Sequence, residues 1–306
     1  MDFRKRRICP CCNKPFSKNL KIIKGGLDKK TEKNILKRVW MGLGKTDHFD
    51  YVRCNKCNTL YNYEYPSEAF INELYSSMPP NMEEAVSTIN QVKNQNGYAK
   101  IISKSIKSLN NKNEFSFIEL GADRGLLIKE LSKVLDKKFL NCVGIEPNSL
   151  VSDDLSKNLT SYSLSNSIYK DIAQMGIKEN NKFNLAACIH ILDHCFKPKD
   201  VLRSIQKKLV SNGILLVVVH NPESSLARFL GKKWPPYCSQ HPQLFTKKGM
   251  SEISAKTGFK LVKQGKTLNY FSLSMVTSFF GLNIEFAKNI NVKLPLGNMY
   301  YILQKC

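Results

Sequence analysis

From residue 115 onward the chain alternates short apolar runs with amphipathic stretches, and this rhythm constrains the fold more than any other feature. "FSFIEL" is a short apolar run, "RGLLIKELSKVL" a helix, "FLNCVGIE" a second strand and "SLVSDDLSKNL" a second helix. "FNLAACIHIL" then reads as a strand that ends near Ile191, "KDVLRSIQKKLV" as a helix closed by "SNG", and "ILLVVVH" as a fully buried strand. Continuous apolar strands separated by helices predict an α/β fold, a parallel sheet covered by helices on both faces. In such sheets ligands sit beyond the carboxyl ends of the strands, so the functional residues are expected there.

The first part of the chain reads differently. "CPCCNKPF" opens at residue 9, and "RCNKCNTLY" answers it from residue 53. Two Cys-x-x-Cys knuckles can each offer two thiolates to one tetrahedral zinc ion, with bonds of about 2.3 Å. Cys9, Cys12, Cys54 and Cys57 are the expected ligands, with Cys11 left free. Four thiolates leave no open coordination position, so such a zinc would be structural. The segment between the knuckles is expected to be loop with one short helix. A linker rich in aromatics and prolines follows, "YNYEYPSEAFINELYSSMPPNMEE". Residues 83 to 110 read as an amphipathic helix, with Ile101, Ile102, Ile106 and Leu109 on one face and "LNNKN" as its stop. The expected organisation is a four-cysteine, zinc-ribbon-like module over 1–65, a linker with N-terminal helices over 66–110, and the main domain over 111–306.

Ten cysteines behind the start "MDFRKRRIC", which has no apolar run after its basic residues, are expected to be thiols or metal ligands of a cytoplasmic protein. No stretch approaches the roughly 20 apolar residues of a membrane span. The net charge of +22 suits phosphate-bearing partners, and half of it lies early: through Cys57 there are 16 Lys+Arg against 5 Asp+Glu, an excess of +11. A solvated, soluble surface would look the same.

A ligand pocket is expected after the first strand of the main domain. "FIELGADRGLL" puts Glu119 at the strand end, with Gly121 and Gly125 in a turn before a helix whose first N–H groups are free. "VGIEPN" ends the second strand on Glu146, where a carboxylate can accept from both hydroxyls of a ribose. A dinucleotide fold wants a turn that admits a pyrophosphate. Here the turn carries Asp123, which repels a pyrophosphate but not a cationic sulfonium, so the residues favour S-adenosylmethionine over NAD.

Residues 117 to 125, residues 143 to 147, "FNLAACIHILDHCFKP", "LVSNGILLVVVHNPES", "HPQLFTKKGMSEISAKTGFKLV" and "LPLGNMYYILQK" resemble, in that order, the successive motifs of class I S-adenosylmethionine-dependent methyltransferases. The resemblance covers roughly residues 85 to 306 and implies a Rossmann-like sheet. With the cysteine pairs in front, the chain is also similar to sugar methyltransferases acting on nucleotide-linked deoxysugars. Their Tyr-His-Glu-His segment stands here as Cys238-Ser239-Gln240-His241. The resemblance implies that Asp193 and His194 face the methionine end of the cofactor or the substrate, and that Asp171 approaches the adenine.

His241 is the expected base, since an imidazole can take a proton near neutrality, and Tyr237 is placed to assist it. The expected activity is methyl transfer to a sugar, a nucleotide-linked sugar or another small metabolite. Two alternatives stay open: an RNA base methyltransferase that uses the basic module on phosphates, and a non-catalytic S-adenosylmethionine-binding protein.

Overall fold

The computed structural model describes residues 2–40, 47–77, 88–106, 114–176, 180–278, 281–282, 284–295 and 297–306. The first part holds β1 (Phe3–Lys5), β2 (Ile22–Ile23), α1 (Lys33–Val39), β3 (Tyr51–Arg53), β4 (Leu60–Asn62), β5 (Glu64–Pro66), α2 (Glu68–Ser77) and α3 (Thr88–Ile106). The short helix expected between the knuckles is α1. The expected linker instead carries β4, β5 and α2, while its Pro-Pro stretch and the "LNNKN" stop lie outside the described residues.

The main domain continues through β6 (Ser116–Leu120), α4 (Leu126–Leu135), β7 (Phe139–Ile145), α5 (Ser152–Tyr162) and β8 (Ser163–Tyr169). β9 (Phe183–Ile189), α6 (Pro198–Lys208), β10 (Leu209–His220), α7 (Ser225–Leu230), β11 (Gln243–Leu244) and α8 (Lys247–Ala255) follow. The last elements are β12 (Phe259–Lys266), β13 (Asn269–Ser272), α9 (Leu273–Ser278), β14 (Asn291–Leu294) and β15 (Asn298–Lys305). Seven strands form the central sheet in the order β12-β15-β10-β9-β6-β7-β8. From β10 to β8 all neighbours are parallel, as the apolar runs predict. The sheet is not wholly parallel, however: β15 runs antiparallel to both β10 and β12 at one edge.

Strand alternation divides the core between the two faces. In β10, Leu216 and Val218 join Phe117, Leu127, Ile128 and Leu131 under α3, α4 and α5. Leu215, Val217 and Val219 face the other way, toward Leu202 and Ile205 of α6 and Met250 and Ile253 of α8. Local signals set the helix ends. α6 begins on Pro198, has Asp200 in its first turn and closes on Lys207 and Lys208, which suits the helix dipole. The helix stops at Lys208, and Leu209 already belongs to β10. "SNG" therefore lies inside a strand with an irregular register between Leu209 and Ile214, rather than closing a helix.

The cysteine module is continuous with the main domain. β11 pairs antiparallel with β4, Gln243 opposite Tyr61 and Leu244 opposite Leu60, making a four-stranded sheet in the order β11-β4-β3-β2. All five N-terminal cysteines share one buried cluster with Phe245, Met250 and Ile253. α8, which begins at Lys247, packs so closely on the second knuckle that a Cβ on Gly249 would lie 2.1 Å from Thr59 Oγ1. No described helix is long and apolar enough to cross a membrane.

Candidate active site

β6 and β7 end side by side, with Glu119 opposite Gly144 and Leu120 opposite Ile145. Beyond them the chain turns sharply: Gly121 has φ 68°, Asp123 φ 46° and Gly125 φ 71°. Only glycine takes up this conformation freely. A Cβ on Gly121 would also lie 2.1 Å from the Ile191 side chain, so the glycine allows the loop after β9 to close on this turn. Glu146 accepts from two backbone amides, Asp123 N at 2.9 Å on Oε2 and Asn148 N at 2.9 Å on Oε1. Each oxygen keeps lone-pair capacity for a ligand donor.

Glu119, Asp123 and Glu146 form an acidic group. Desolvation, then Asp123 and Glu146, push Glu119 well above the usual carboxylate range. Desolvation and the Glu146 charge raise Asp123 to about 6. Desolvation also raises Glu146, against the two amides that hold it. Such an acceptor-rich set matches a ligand that brings hydroxyl donors and positive charge, which is what a ribose and a sulfonium offer. Asp171 stands apart from it, exposed, with Oδ1 accepting from Ala173 N at 3.0 Å to cap a short 3-10 turn.

The second focus lies beyond β9 and β10. β9 ends at Ile189, short of the expected Ile191, and His190 turns out of it with φ 54°. Asp193, fully buried, accepts from His220 N at 3.2 Å and faces His220 Nδ1 at 2.6 Å, both on Oδ2. Burial alone would raise the Asp193 carboxyl, but His220 and the surrounding imidazoles outweigh it and hold it below the usual range. Asp193 is thus a partner of His220 rather than a member of the Glu119 group.

His194 Nε2 lies 3.1 Å from His241 Nε2. His241 Nδ1 is 2.8 Å from Pro236 O, and because a carbonyl only accepts, the proton sits on Nδ1. His241 Nε2 therefore presents a lone pair to His194. Desolvation, with His220 adding to it, lowers His241 to about 4, so the ring is neutral at pH 7. Tyr237 packs edge-on against Trp234, with centroids 5.4 Å apart, and beside His48 and Tyr51, so it serves as part of the wall behind His241.

That wall is built by the cysteine module. Tyr51 on β3 directs its hydroxyl at Cys238 O, 3.1 Å away, and at His241 O, 2.5 Å away. Tyr65 donates to Ser239 O at 2.8 Å, and Gln240 N donates to Trp40 O at 3.1 Å. Arg6 donates to Pro242 O at 3.0 Å, to Gln243 Oε1 at 2.7 Å and to Phe196 O. Desolvation lowers this buried guanidinium to about 10. No local pattern marks Arg6, Tyr51 or Tyr65, because their partners lie more than 170 residues away. His190 and His220 are not among the expected site residues either. Their positions at the carboxyl ends of two adjacent strands were the available signal.

At the knuckles, Cys9 Sγ and Cys57 Sγ are 3.6 Å apart, and Cys12 Sγ and Cys54 Sγ 3.5 Å. Thiolates on one tetrahedral zinc with bonds of about 2.3 Å would stand about 3.8 Å apart, so these four sulfurs fit such an ion. Cys11, also fully buried, makes a different contact, 3.4 Å from Thr59 Oγ1.

The sheet order, the glycine turn and the paired strand-end carboxylates define a methyltransferase fold, and the methyltransferase-domain family model matches residues 91–264, more than half of the chain. The chain belongs to that family and is an S-adenosylmethionine-dependent methyltransferase. No curated protein matches it significantly. Among solved structures it is similar to a protein from Bacillus halodurans described as a methyltransferase, with 12% identity over 67% of this chain and 98% of that one and a TM-score of 0.47. It is also similar to one from Listeria monocytogenes described as S-adenosylmethionine-dependent, with 14% identity, 68% and 99% coverage and a TM-score of 0.47.

Proposed function

We propose that this enzyme methylates a hydroxyl-bearing small molecule, a sugar or nucleotide-linked sugar, with His241 as the base. The observation that carries the reading is the His241 tautomer: Nδ1–H is committed to Pro236 O, which leaves the Nε2 lone pair toward His194 at the strand ends. S-adenosylmethionine, when bound, supplies an electrophilic methyl group on a sulfonium. Glu146 would hold its ribose hydroxyls, and its positive charge would draw the carboxyls of Glu119 and Asp123 toward their ionised forms. The acceptor's hydroxyl proton would pass to His241 Nε2, in place of the contact from His194, and the buried Asp193 carboxylate would stabilise the charge gained. Tyr237 and the Tyr51 hydroxyl keep the loop in position for that transfer.

A small acceptor is favoured because the residues around His241 are buried: Cys238, Ser239, Gln240 and His241 are each at most 6% exposed. A polynucleotide would call for an open basic groove with stacking aromatics. Cys9, Cys12, Cys54 and Cys57 would hold one zinc, which when bound cross-links the two knuckles. Arg6, drawn electrostatically toward Cys9 and Cys11, would offset part of the thiolate charge. The test is transfer of labelled methyl from S-adenosylmethionine to a panel of sugars, nucleotide-linked sugars and RNA. Label in the sugar fractions is expected. Label in RNA alone would favour the RNA reading, with the basic module on phosphates.

A further inference from the structure

Four of the chain's five histidines gather with Asp193 beyond β9 and β10, and two buried atoms in this group lack partners among the described residues. His190 Nδ1 makes no hydrogen bond, and its Nε2 has only a 3.5 Å contact with Asn298 Nδ2. Asp193 Oδ1 is likewise unpartnered, although Asp193 is fully buried. A buried polar atom left unsatisfied is destabilising, and a charged group more so. His190 also adopts φ 54°, a left-handed conformation unfavourable to a non-glycine residue, held in place by its N–H donating to Val218 O at 2.8 Å. The fold thus keeps a strained histidine and a bare carboxylate oxygen side by side. The His190 and His220 rings have centroids 4.6 Å apart, and one donor atom from each of His190, Asp193 and His220 lies within 4.8 Å of the other two. Ligands on an ion with bonds of about 2.1 Å stand about 3.0–3.4 Å apart when adjacent, so small side-chain rotations would gather these three.

We propose that His190, Asp193 and His220 form a second metal centre, for a divalent first-row transition ion, separate from the cysteine cluster. Two imidazoles and one carboxylate select ions of the manganese-to-zinc series over calcium or magnesium, and three protein ligands leave coordination positions open. The open side is the one occupied by His194 and His241, whose rings lie 4.9 Å apart, with His241 4.8 Å from His220. An acceptor oxygen bound there would have its hydroxyl acidified by the ion and its proton released to His241; this acceptor role, unlike the metal site itself, rests on the proposed function. The support around the site is built accordingly. Gln243 Nε2 donates to Leu192 O at 2.5 Å, Asp193 O at 3.3 Å and Cys195 O at 2.9 Å, fixing the loop that carries the carboxylate. Its Oε1 accepts from Arg6 of the cysteine module. The module therefore orders the metal loop as well as the base loop, as outer partners do in metal sites.

The test uses the full chain, loaded with zinc and freed of excess metal, with no methyl acceptor present. Two zinc ions per chain are expected. Asp193→Asn and His220→Gln should each leave one, as should Cys54→Ser, which removes the other. Co2+ added to protein whose thiolate site is filled by zinc should give visible ligand-field bands without thiolate charge transfer, and these should vanish in both Asp193→Asn and His220→Gln. Calorimetric S-adenosylmethionine affinity within about threefold of the parent shows that the variants are folded. One zinc per chain together with no cobalt bands overturns the proposal and leaves a bridging water as the partner of His190 and Asp193. Cobalt bands that persist in both variants overturn it as well. A metal found here with no methyl transfer to any sugar would count against the acceptor reading alone.

Discussion

Tyr51 on the cysteine module points its hydroxyl at the carbonyl of His241, 2.5 Å away on the methyltransferase domain. A second contact, 3.1 Å to Cys238 O, ties the same hydroxyl to both ends of the Cys238–His241 turn. The module thus reaches the backbone around His241, the proposed base, directly.

Tyr51→Phe should therefore leave the His241 carbonyl without its donor, Cys238 O keeping the His241 N–H, and destabilise the fold by about 1–3 kcal/mol. Turnover should fall while S-adenosylmethionine affinity holds, because the Glu146 site lies on other strands. Thermal unfolding and steady-state kinetics check this, and a variant with parental Tm and kcat would show that the contact is idle.

Removal of the Glu146 carboxylate should be felt in cofactor binding. Glu146→Ala should weaken S-adenosylmethionine by about 1.5–3 kcal/mol, the range for hydrogen bonds to a charged acceptor. Calorimetry measures it directly, and unchanged affinity would remove Glu146 from the ribose site.

The acidic group also sets a pH dependence. Asp123 titrates near 6 in the folded chain, above its ordinary value of 3.8, so the free protein favours its protonated form. Its contribution to the stability of the free protein should accordingly decline as pH rises from about 4 to about 6. A cationic cofactor favours the ionised form, so affinity should rise across the upper part of that window. Binding isotherms at pH 5 and 7 should show the rise in the parent and a flatter response in Asp123→Asn.

Cys54→Ser should lose the thiolate-bound zinc, as read by metal analysis. Because β4 pairs with β11 and the knuckles share a core with α8, the loss should lower the Tm of the whole chain instead of melting the module alone. A separate, lower transition for the module would contradict that coupling.

Much of the main domain was legible because buried parallel strands are spelled as apolar runs. β8 was not, since "SLSNSIY" is polar and lies at the sheet edge with one neighbour, where burial does not dictate composition. Glu119, Gly121, Asp123 and Glu146 could be read from local spacing, because the turn and the two strand ends are close in sequence. The pairing of β11 with β4 joins residues more than 180 positions apart, and no local pattern encodes it. The same distance hid Arg6, Tyr51 and Tyr65. His190 and His220 are hidden for a related reason: one follows and the other ends an apolar strand, and only the parallel register of β9 and β10 brings them together.

The role of His241 comes down to a comparison of the parent enzyme with His241→Ala, using the acceptor found by the labelled-methyl screen. Cofactor affinity should stay within about twofold, and kcat should fall by about 100-fold or more, the range for loss of a general base. A variant that binds S-adenosylmethionine normally and turns over at the parental rate would contradict the assignment of His241 as the base.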